Sequence, residues 1–302
     1  MVPKMHGIED VRRGTMKRYA RFVGTLLLLS VILMAAGATW SARPSAPPQS
    51  ATIPILMYHH LDEVGNDATI VTPERFEEHM QALSRAGYTA ILPRDLRAFV
   101  EKGTPLPDRA VLITFDDGYL SNYEIAWPIL EHYGLRAAIF VIGRSVGTDR
   151  YKDTGREITP HFTWTQAAEM VASGHIEIQS HTFDRHQWAP FEPAGQARES
   201  LLRLPSESEA AYRAAIIEDC HTIRTAIETG AGETDVYAVA YPRGLYDAAS
   251  TELLQENGFV MSFTTEPGNA VLVEGRPETL WDLPRWTVHE GISGAALLSW
   301  LP

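Results

Sequence analysis

Cysteine is almost absent from this sequence of 302 residues, which contains only Cys220. A single cysteine excludes an internal disulfide framework and a cysteine-based zinc finger. Cys220 could still be a catalytic thiol, but no cysteine–histidine signature surrounds it. Without disulfides the fold depends on a hydrophobic core. The hydrophobic share of 45% is ordinary for a globular protein and excludes wholesale disorder.

Positive charge is also scarce, since 26 lysines and arginines face 38 aspartates and glutamates, giving a net charge of −12. General nucleic-acid binding needs a basic surface to neutralise phosphates, so this composition argues against a nucleic-acid partner. The few basic residues are concentrated at the start of the chain. Residues 1–21 have a net charge of +4, so the remainder is still more acidic than the average.

One long apolar run follows this basic segment. Residues 22–42 carry no charge, a pattern typical of a signal peptide or a membrane anchor. The run reaches the ~17–25 residues that a spanning helix needs, and the AGA sequence at 36–38 is a plausible cleavage site. A buried core helix is the alternative. We expect the basic side to remain in the cytoplasm and the rest of the chain to lie outside it, anchored or secreted.

Residues 43–50 contain three prolines and no large apolar side chain, which predicts a linker. We therefore divide the chain into a leader with the signal peptide or anchor (1–42), a linker (43–52) and one domain (53–302). The domain has about 250 residues, a usual size for a single α/β barrel.

Within this domain, short apolar runs alternate with helical patterns, which predicts an α/β fold of parallel strands covered by helices. Alternation alone does not separate an open sheet from a closed barrel, but in both the catalytic residues lie at the carboxyl ends of strands. We expect Pro128 to kink its helix or delay its start. The predicted strands are residues 53–58, 89–92, 111–115, 137–142, 176–179, 236–241 and 259–264.

Two carboxylates follow one of these strands directly. Asp116 and Asp117 come after the apolar residues 111–115, and Gly118 permits a tight turn that can direct both carboxylates to one point. Adjacent buried carboxylates are costly unless they are paired, hydrogen-bonded or bound to a metal. A helix N-cap is the alternative interpretation of this pattern.

Two histidines, His181 and His186, follow the predicted strand at 176–179. Five positions apart, they share no face of a helix or a strand, so they converge only if the chain turns between them. Two ordinary surface histidines are the alternative. Together with one carboxylate, two imidazoles suit a divalent transition metal that keeps a position for water. The second carboxylate would then be free to act as a base.

Three segments resemble the successive motifs of the NodB-homology polysaccharide deacetylases, carbohydrate esterase family 4. They are TFDDGY (114–119), SHTFDRH (180–186) and AYPRG (240–244), and the resemblance extends over roughly residues 53–288. It implies a distorted (β/α) barrel with fewer than eight repeats and a single catalytic domain. It also implies hydrolysis of N-acetyl groups on an extracellular N-acetylhexosamine polymer, with release of acetate.

The resemblance implies a role for each motif residue. Asp116 would be the general base, and Asp117, His181 and His186 would bind one divalent metal ion, with zinc expected and cobalt or nickel compatible. Water on this metal would attack the acetyl carbonyl carbon, while the metal and a backbone N–H at Arg243 would stabilise the oxyanion. The same motif contributes Tyr241 and Pro242 as supporting residues.

The chain also departs from the common family pattern. Four residues separate His181 from His186, a longer spacing that resembles the extracellular poly-β-1,6-N-acetylglucosamine deacetylases. No late histidine motif is present, and in that group an earlier histidine acts as the acid. By position we assign His59 to this role, with His60 as a structural residue. Arg285 would steady the base, or else form a structural ion pair.

The other polar and aromatic residues are expected to be unexceptional. We interpret His79, His132 and His289 as surface residues, and residues 191–208 as an irregular insertion that could shape a substrate groove. Trp164 and Trp188 could line a sugar groove or serve in packing. Two other functions stay open, a non-catalytic sugar-binding protein and a hydrolase of small amides. Peptidoglycan and chitin-like oligomers are further candidate substrates.

Overall fold

The computed structural model describes residues 47–65, 68–233 and 235–302, and residues 48–302 form one compact unit. The predicted leader at 1–42 and residues 43–46 of the predicted linker lie outside the described residues. In the described part of the chain, none of the helices combines the length and the apolar character that crossing a membrane requires.

Strands and helices alternate along the unit, as the sequence predicts. The strands are β1 (Ser50–Tyr58), β2 (His60–Leu61), β3 (Ile70–Val71), β4 (Thr89–Ile91), β5 (Ala110–Asp117), β6 (Ala137–Val141), β7 (Ile176–Ser180), β8 (Ala238–Ala240), β9 (Met261–Phe263), β10 (Asn269–Val273) and β11 (Trp286–Thr287). The helices are α1 (Pro73–Arg85), α2 (Pro93–Lys102), α3 (Trp127–Tyr133), α4 (Trp164–Ala172), α5 (Glu209–Gly230), α6 (Ala248–Glu256) and α7 (Gly294–Leu298).

The parallel strands form a closed ring. Strands β1, β5, β6, β7, β8 and β9 pair in that order. After β9 the chain returns to this ring, where Leu283 bridges Phe263 in β9 and β11 pairs in parallel with the end of β1. The ring therefore closes with fewer than eight strands, which confirms the distorted barrel. Two further strands lie beside it, since β10 pairs antiparallel with the start of β1 and β4 pairs with β5.

Alternate residues of each strand face two different cores. Ile55, Leu112 and Phe140 belong to a cluster inside the barrel, whereas their neighbours Leu56 and Ile113 belong to the cluster between the barrel and the helices. This follows from the period of two in a strand, and burial on both faces explains the continuous apolar runs. Every residue of β5, including both carboxylates, is buried.

Some element boundaries differ from the sequence predictions. β1 begins at Ser50, inside the predicted linker, because β10, which the sequence pattern did not reveal, pairs with residues 50–54. β8 is shorter than predicted because Gln179 Oε1 accepts the backbone N–H groups of Tyr237 and Ala238, each at 3.0 Å. Pro128 lies in the first turn of α3, after a π-helical turn at Asn122–Ala126, so the late start is confirmed.

Candidate active site

The candidate catalytic residues lie at the carboxyl ends of neighbouring barrel strands. In β5 the inward positions continue from Leu112 to Asp116, and in β7 they continue from Gln179, beside Phe140, to His181. Because Met57 is registered with Thr114, the next inward position of the first strand, His59, comes beside Asp116. Strand parity therefore brings three functional side chains to one end of the barrel.

Asp116 is held by Arg285 in a bidentate ion pair. Both bonds from the guanidinium to the carboxylate oxygens measure 2.7 Å, and the Arg285 side chain is fully buried. Arg285 Nε also donates to the carbonyl of Thr264 at 2.8 Å. Burial alone would raise the pKa of Asp116, but the facing guanidinium holds it well below its ordinary value. Asp116 is therefore ionised over the whole physiological pH range.

Asp117 points to a different place from Asp116 because the backbone turns sharply between them. Asp117 has φ 73° and Gly118 has φ 86°, both in the left-handed region that is costly for a non-glycine residue. A Cβ on Gly118 would lie 3.0 Å from Val141 Cγ1, so the turn requires glycine. Asp117 Oδ1 is buried and has no hydrogen-bond partner among the residues that the structure describes. A buried carboxylate oxygen without a partner, an orphaned oxygen, destabilises the folded state unless a cation binds it.

The orphaned oxygen faces the two predicted histidine ligands. Asp117 Oδ1 lies 3.5 Å from His181 Nε2 and 3.8 Å from His186 Nε2, and the three candidate ligand atoms lie within 4.8 Å of one another. Tetrahedral ligands at ~2.1 Å from zinc are about 3.4 Å apart, so these separations suit atoms that share an ion. Burial by itself raises the pKa of Asp117, yet His186 and His181 keep it below the ordinary value. The residues present therefore fit a divalent metal.

The chain between the histidines turns as required. Thr182 has φ 72°, and the ring centroids of His181 and His186 lie 5.1 Å apart. His181 Nδ1 lies 2.8 Å from the carbonyl oxygen of Ala240, which can only accept. Nδ1 therefore carries the hydrogen, and Nε2 presents its lone pair toward Asp117.

A buried carboxylate on α5 holds the loop that carries His186. Asp219 accepts the backbone N–H groups of Phe183 and Asp184, each at 2.9 Å. Arg185 Nε lies 3.7 Å from the same carboxylate. Asp219 was not predicted as a site residue. Its position in a helix does not reveal that it accepts hydrogen bonds from a loop about 35 residues earlier in the chain.

The structure separates His59 from His60. His59 Nδ1 is buried and finds no hydrogen-bond partner in the described part of the chain, and the imidazole interacts electrostatically with Asp116 and Asp117. His60 instead bonds Ser121 Oγ through Nδ1 at 2.8 Å and pairs with Asp62 through Nε2 at 3.4 Å. His59 is therefore the histidine whose ring lies at the carboxylate pair.

The AYPRG motif forms a turn beside this site. Arg243 has φ 58° and lines the same cavity as Asp117 and His186, while its guanidinium pairs with Glu199 at 2.6 Å. Tyr241 and Pro242 are buried beneath the turn, where Tyr241 stacks on Tyr246 at 4.2 Å. They support the turn and do not line the cavity.

His161 is a site residue that sequence reasoning missed. It lines the cavity with Asp117 and is 8% exposed, and within residues 47–65, 68–233 and 235–302 its buried Nδ1 has no hydrogen-bond partner. Burial lowers its pKa to about 4, although Asp117 opposes the shift. An isolated bridge to Tyr119, next to Gly118, brings it there. A single histidine has no spacing to a second ligand that a sequence pattern could reveal. Its position just before α4 is the one sequence signal that could have indicated a site residue.

The remaining residues have mixed outcomes. The surface prediction for His79 is wrong: it is fully buried between Tyr58 and the carbonyl of Ile292. His132 is exposed as predicted, and His289 is half-buried.

Burial raises the pKa of the Cys220 thiol to about 12, which makes it inert. Trp188 lines the cavity that Asp117 and His186 also line, whereas Trp164 packs against Gly230.

Comparisons with known proteins agree with this geometry. The sequence profile of the family described as polysaccharide deacetylase matches residues 103–262. The chain is 32% identical over 246 residues to YxkH of Bacillus subtilis, which is named as a polysaccharide deacetylase, covering 82% of this chain and 75% of that protein. It is 26% identical over 283 residues to the poly-β-1,6-N-acetyl-D-glucosamine N-deacetylase of Escherichia coli, covering 84% of this chain but only 42% of that enzyme.

A solved structure shows the same fold. IcaB from Ammonifex degensii superposes with a TM-score of 0.66 at 26% identity, covering 82% of this chain and 96% of that one. The family profile spans the barrel strands that carry the aspartate pair and the two histidines. The chain belongs to the polysaccharide deacetylases, a family of hydrolases that cleave the amide bond of N-acetyl groups.

Proposed function

We propose that this protein is a metal-dependent deacetylase that removes N-acetyl groups from an N-acetylhexosamine polymer outside the cytoplasm. The single observation that carries the proposal is the orphaned Asp117 Oδ1, buried opposite His181 and His186 next to the ionised Asp116. A binding protein would not need a second carboxylate held ionised beside this cluster.

Asp117, His181 and His186 would hold the ion, with zinc as the expected metal and cobalt or nickel as compatible ones. When bound, such an ion lowers the pKa of a coordinated water and polarises the acetyl carbonyl. The barrel provides two imidazoles and one carboxylate and leaves a position for water, as catalytic zinc sites do.

The residues of the chain supply the proton transfers. Asp116 would accept a proton from the attacking water. Its two oxygens already accept one bond each from Arg285, but a carboxylate has about four acceptor positions, so about two stay available. His59 would donate a proton to the nitrogen that leaves as a free amine. The backbone N–H at Arg243, in its left-handed turn, is placed to stabilise charge on the acetyl oxygen.

The name of the E. coli relative supports poly-β-1,6-N-acetylglucosamine as the substrate class. The spacing of His181 and His186 and the early position of His59 favour the same polymer. The location outside the cytoplasm rests on the basic and apolar leader in residues 1–42.

The decisive experiment measures acetate release by the full-length protein from N-acetylglucosamine oligomers, before and after treatment with a chelator. We expect release that stops on chelation and returns with added zinc. Asp117→Ala should lose both the metal and the activity. Bound metal without acetate release from any amino-sugar polymer would favour a sugar-binding protein, and release only from small amides would favour the other hydrolase.

A further inference from the structure

A rigid aromatic surface lies at the rim of the metal cavity. Trp188 is 51% exposed, although tryptophan is normally among the more buried residues. It contacts Phe191, with ring centroids 5.0 Å apart, and Phe191 in turn contacts Tyr151 at 5.2 Å. We name Trp188, Phe191 and Tyr151 the aromatic shelf.

Several bonds hold the shelf in place. The backbone N–H of Trp188 donates to Tyr151 Oη at 3.3 Å, and that hydroxyl donates to Glu192. Lys152 pairs with the same Glu192, and the Arg156 guanidinium lies 4.7 Å from the Phe191 ring centroid. A surface fixed in this way loses little conformational entropy when a ligand binds.

The shelf and the candidate metal ligands share one cavity. Trp188 and Tyr151 line it together with Asp117, His161 and His186. Its volume is about 270 Å³, below the ~300–1,000 Å³ of ordinary ligand pockets. There is room for the reacting sugar unit, but the next unit of a polymer has to lie outside, on the rim.

The chemistry of the shelf suits that next unit. A pyranose ring presents C–H groups on its faces and hydroxyls at its edge, and the indole offers an apolar face with a polar N–H. Exposed aromatic surface beside a functional cavity is typical of a binding site. Of the neighbouring cations, Arg243 pairs with Glu199 and Lys152 with Asp184, while Arg156 donates to the carbonyl of Pro190 and faces the Phe191 ring. This favours an uncharged sugar over an anionic one.

We propose that the aromatic shelf is a sugar subsite, in which the face of a neutral hexosamine next to the reacting unit packs against Trp188. The inference rests on the proposed function and adds to it that the substrate is bound as a polymer. Chain length should therefore improve binding more than it improves the chemical step.

The test compares full-length wild type with Trp188→Ala, both loaded with zinc, on N-acetylglucosamine and its β-1,6-linked oligomers. For oligomers we expect KM to rise about tenfold with kcat nearly unchanged, because lost stacking removes uniform binding. The rise in KM should be smaller for the monosaccharide, which has no second sugar unit to pack against the shelf. Trp188→Phe should retain most of the affinity. Val271→Ala, an exposed apolar side chain on β10, serves as the control.

The outcomes separate the two proposals. An unchanged KM for long oligomers in Trp188→Ala would overturn the subsite and leave the deacetylase intact. If wild type releases no acetate from any oligomer, the proposed function fails, and calorimetric binding of the same oligomers then decides the subsite. Binding that weakens in Trp188→Ala supports it, and equal binding in both proteins overturns it.

Discussion

Arg285 binds both carboxylate oxygens of Asp116 at 2.7 Å inside the barrel, although 169 positions separate the two residues in the chain. Two parallel bonds fix the plane of the carboxylate and keep it charged. The guanidinium also lies 5.8 Å from the ring centroid of Phe140 and 6.0 Å from that of Phe263. The proposed general base is therefore positioned by a residue that lies between Leu283 and β11, the two points at which the chain rejoins the barrel.

Replacing Arg285 by lysine should lower both stability and activity. Lysine keeps the positive charge but cannot form two parallel bonds, which leaves part of a buried carboxylate unsatisfied. Loss of a partner in a buried pair costs ~3–5 kcal/mol, and we expect the lysine variant to approach that range. Denaturant unfolding and kcat/KM measure the two effects. Arg213→Lys, in a surface pair with Glu256, should change neither.

Metal binding should stabilise the fold through Asp117. A ligand at 100 times its Kd adds about 2.7 kcal/mol to the free energy of unfolding, so zinc should raise the Tm of the wild type. Asp117→Ala should abolish this rise, and its metal content after dialysis should fall to background. Equal zinc-induced Tm shifts in both proteins would remove Asp117 from the ligand set.

His59 and His60 should differ sharply in kinetics. Loss of a general acid typically costs about 10²–10⁴-fold in rate, so His59→Ala should fall in that range and lose one limb of its pH–rate profile. His60→Ala should retain most of the rate, because its contacts with Ser121 and Asp62 lie beside the site. The reverse order of effects would transfer the acid role to His60.

Asp219 should influence metal affinity without touching the metal. Asparagine at this position can accept only one of the two backbone N–H groups that Asp219 accepts from the His186 loop. Residues that orient metal ligands typically contribute about 10–100-fold in affinity, so Asp219→Asn should weaken zinc binding by a factor in this range. Glu218→Gln, the exposed neighbour, is the matched control, and an unchanged Kd in Asp219→Asn would contradict the positioning role.

Glu177, inside the barrel, should make stability depend on pH. Burial raises its pKa to about 7, while a hydrogen bond from Tyr237 opposes the shift. The folded state therefore holds a proton that the unfolded chain releases above its ordinary pKa near ~4.3. Stability from this group is complete below that pH and is lost as pH rises through about 7.

The size of this effect is at most roughly 4 kcal/mol. Glu177→Gln should flatten the dependence of unfolding free energy on pH between these limits, as followed by denaturant titration. Glu256→Gln, on the exposed side of α6, should leave the wild-type slope unchanged. Equal slopes for wild type and Glu177→Gln in this window would show that Glu177 is ionised in the folded protein.

Much of the fold and site could be predicted because the information is local. Four of the five residues in the run 111–115 are apolar, since β5 is buried on both faces, and the acidic pair and glycine follow it directly. The histidine motif follows its own strand in the same way. Element ends were less predictable, as in β8, where the side chain of Gln179 replaces ladder partners for two backbone N–H groups.

The sequence by itself determined the alternation of strands and helices, the residue types at the strand ends and the family. These depend on side-chain period and adjacent positions, which the chain displays directly. Only the tertiary structure decided that Arg285 pairs with Asp116 and that His59, not His60, lies at the carboxylates. It also decided that Trp188 lines the same cavity as the candidate metal ligands. Each of these depends on how the barrel closes, because closure brings together positions that no local pattern connects.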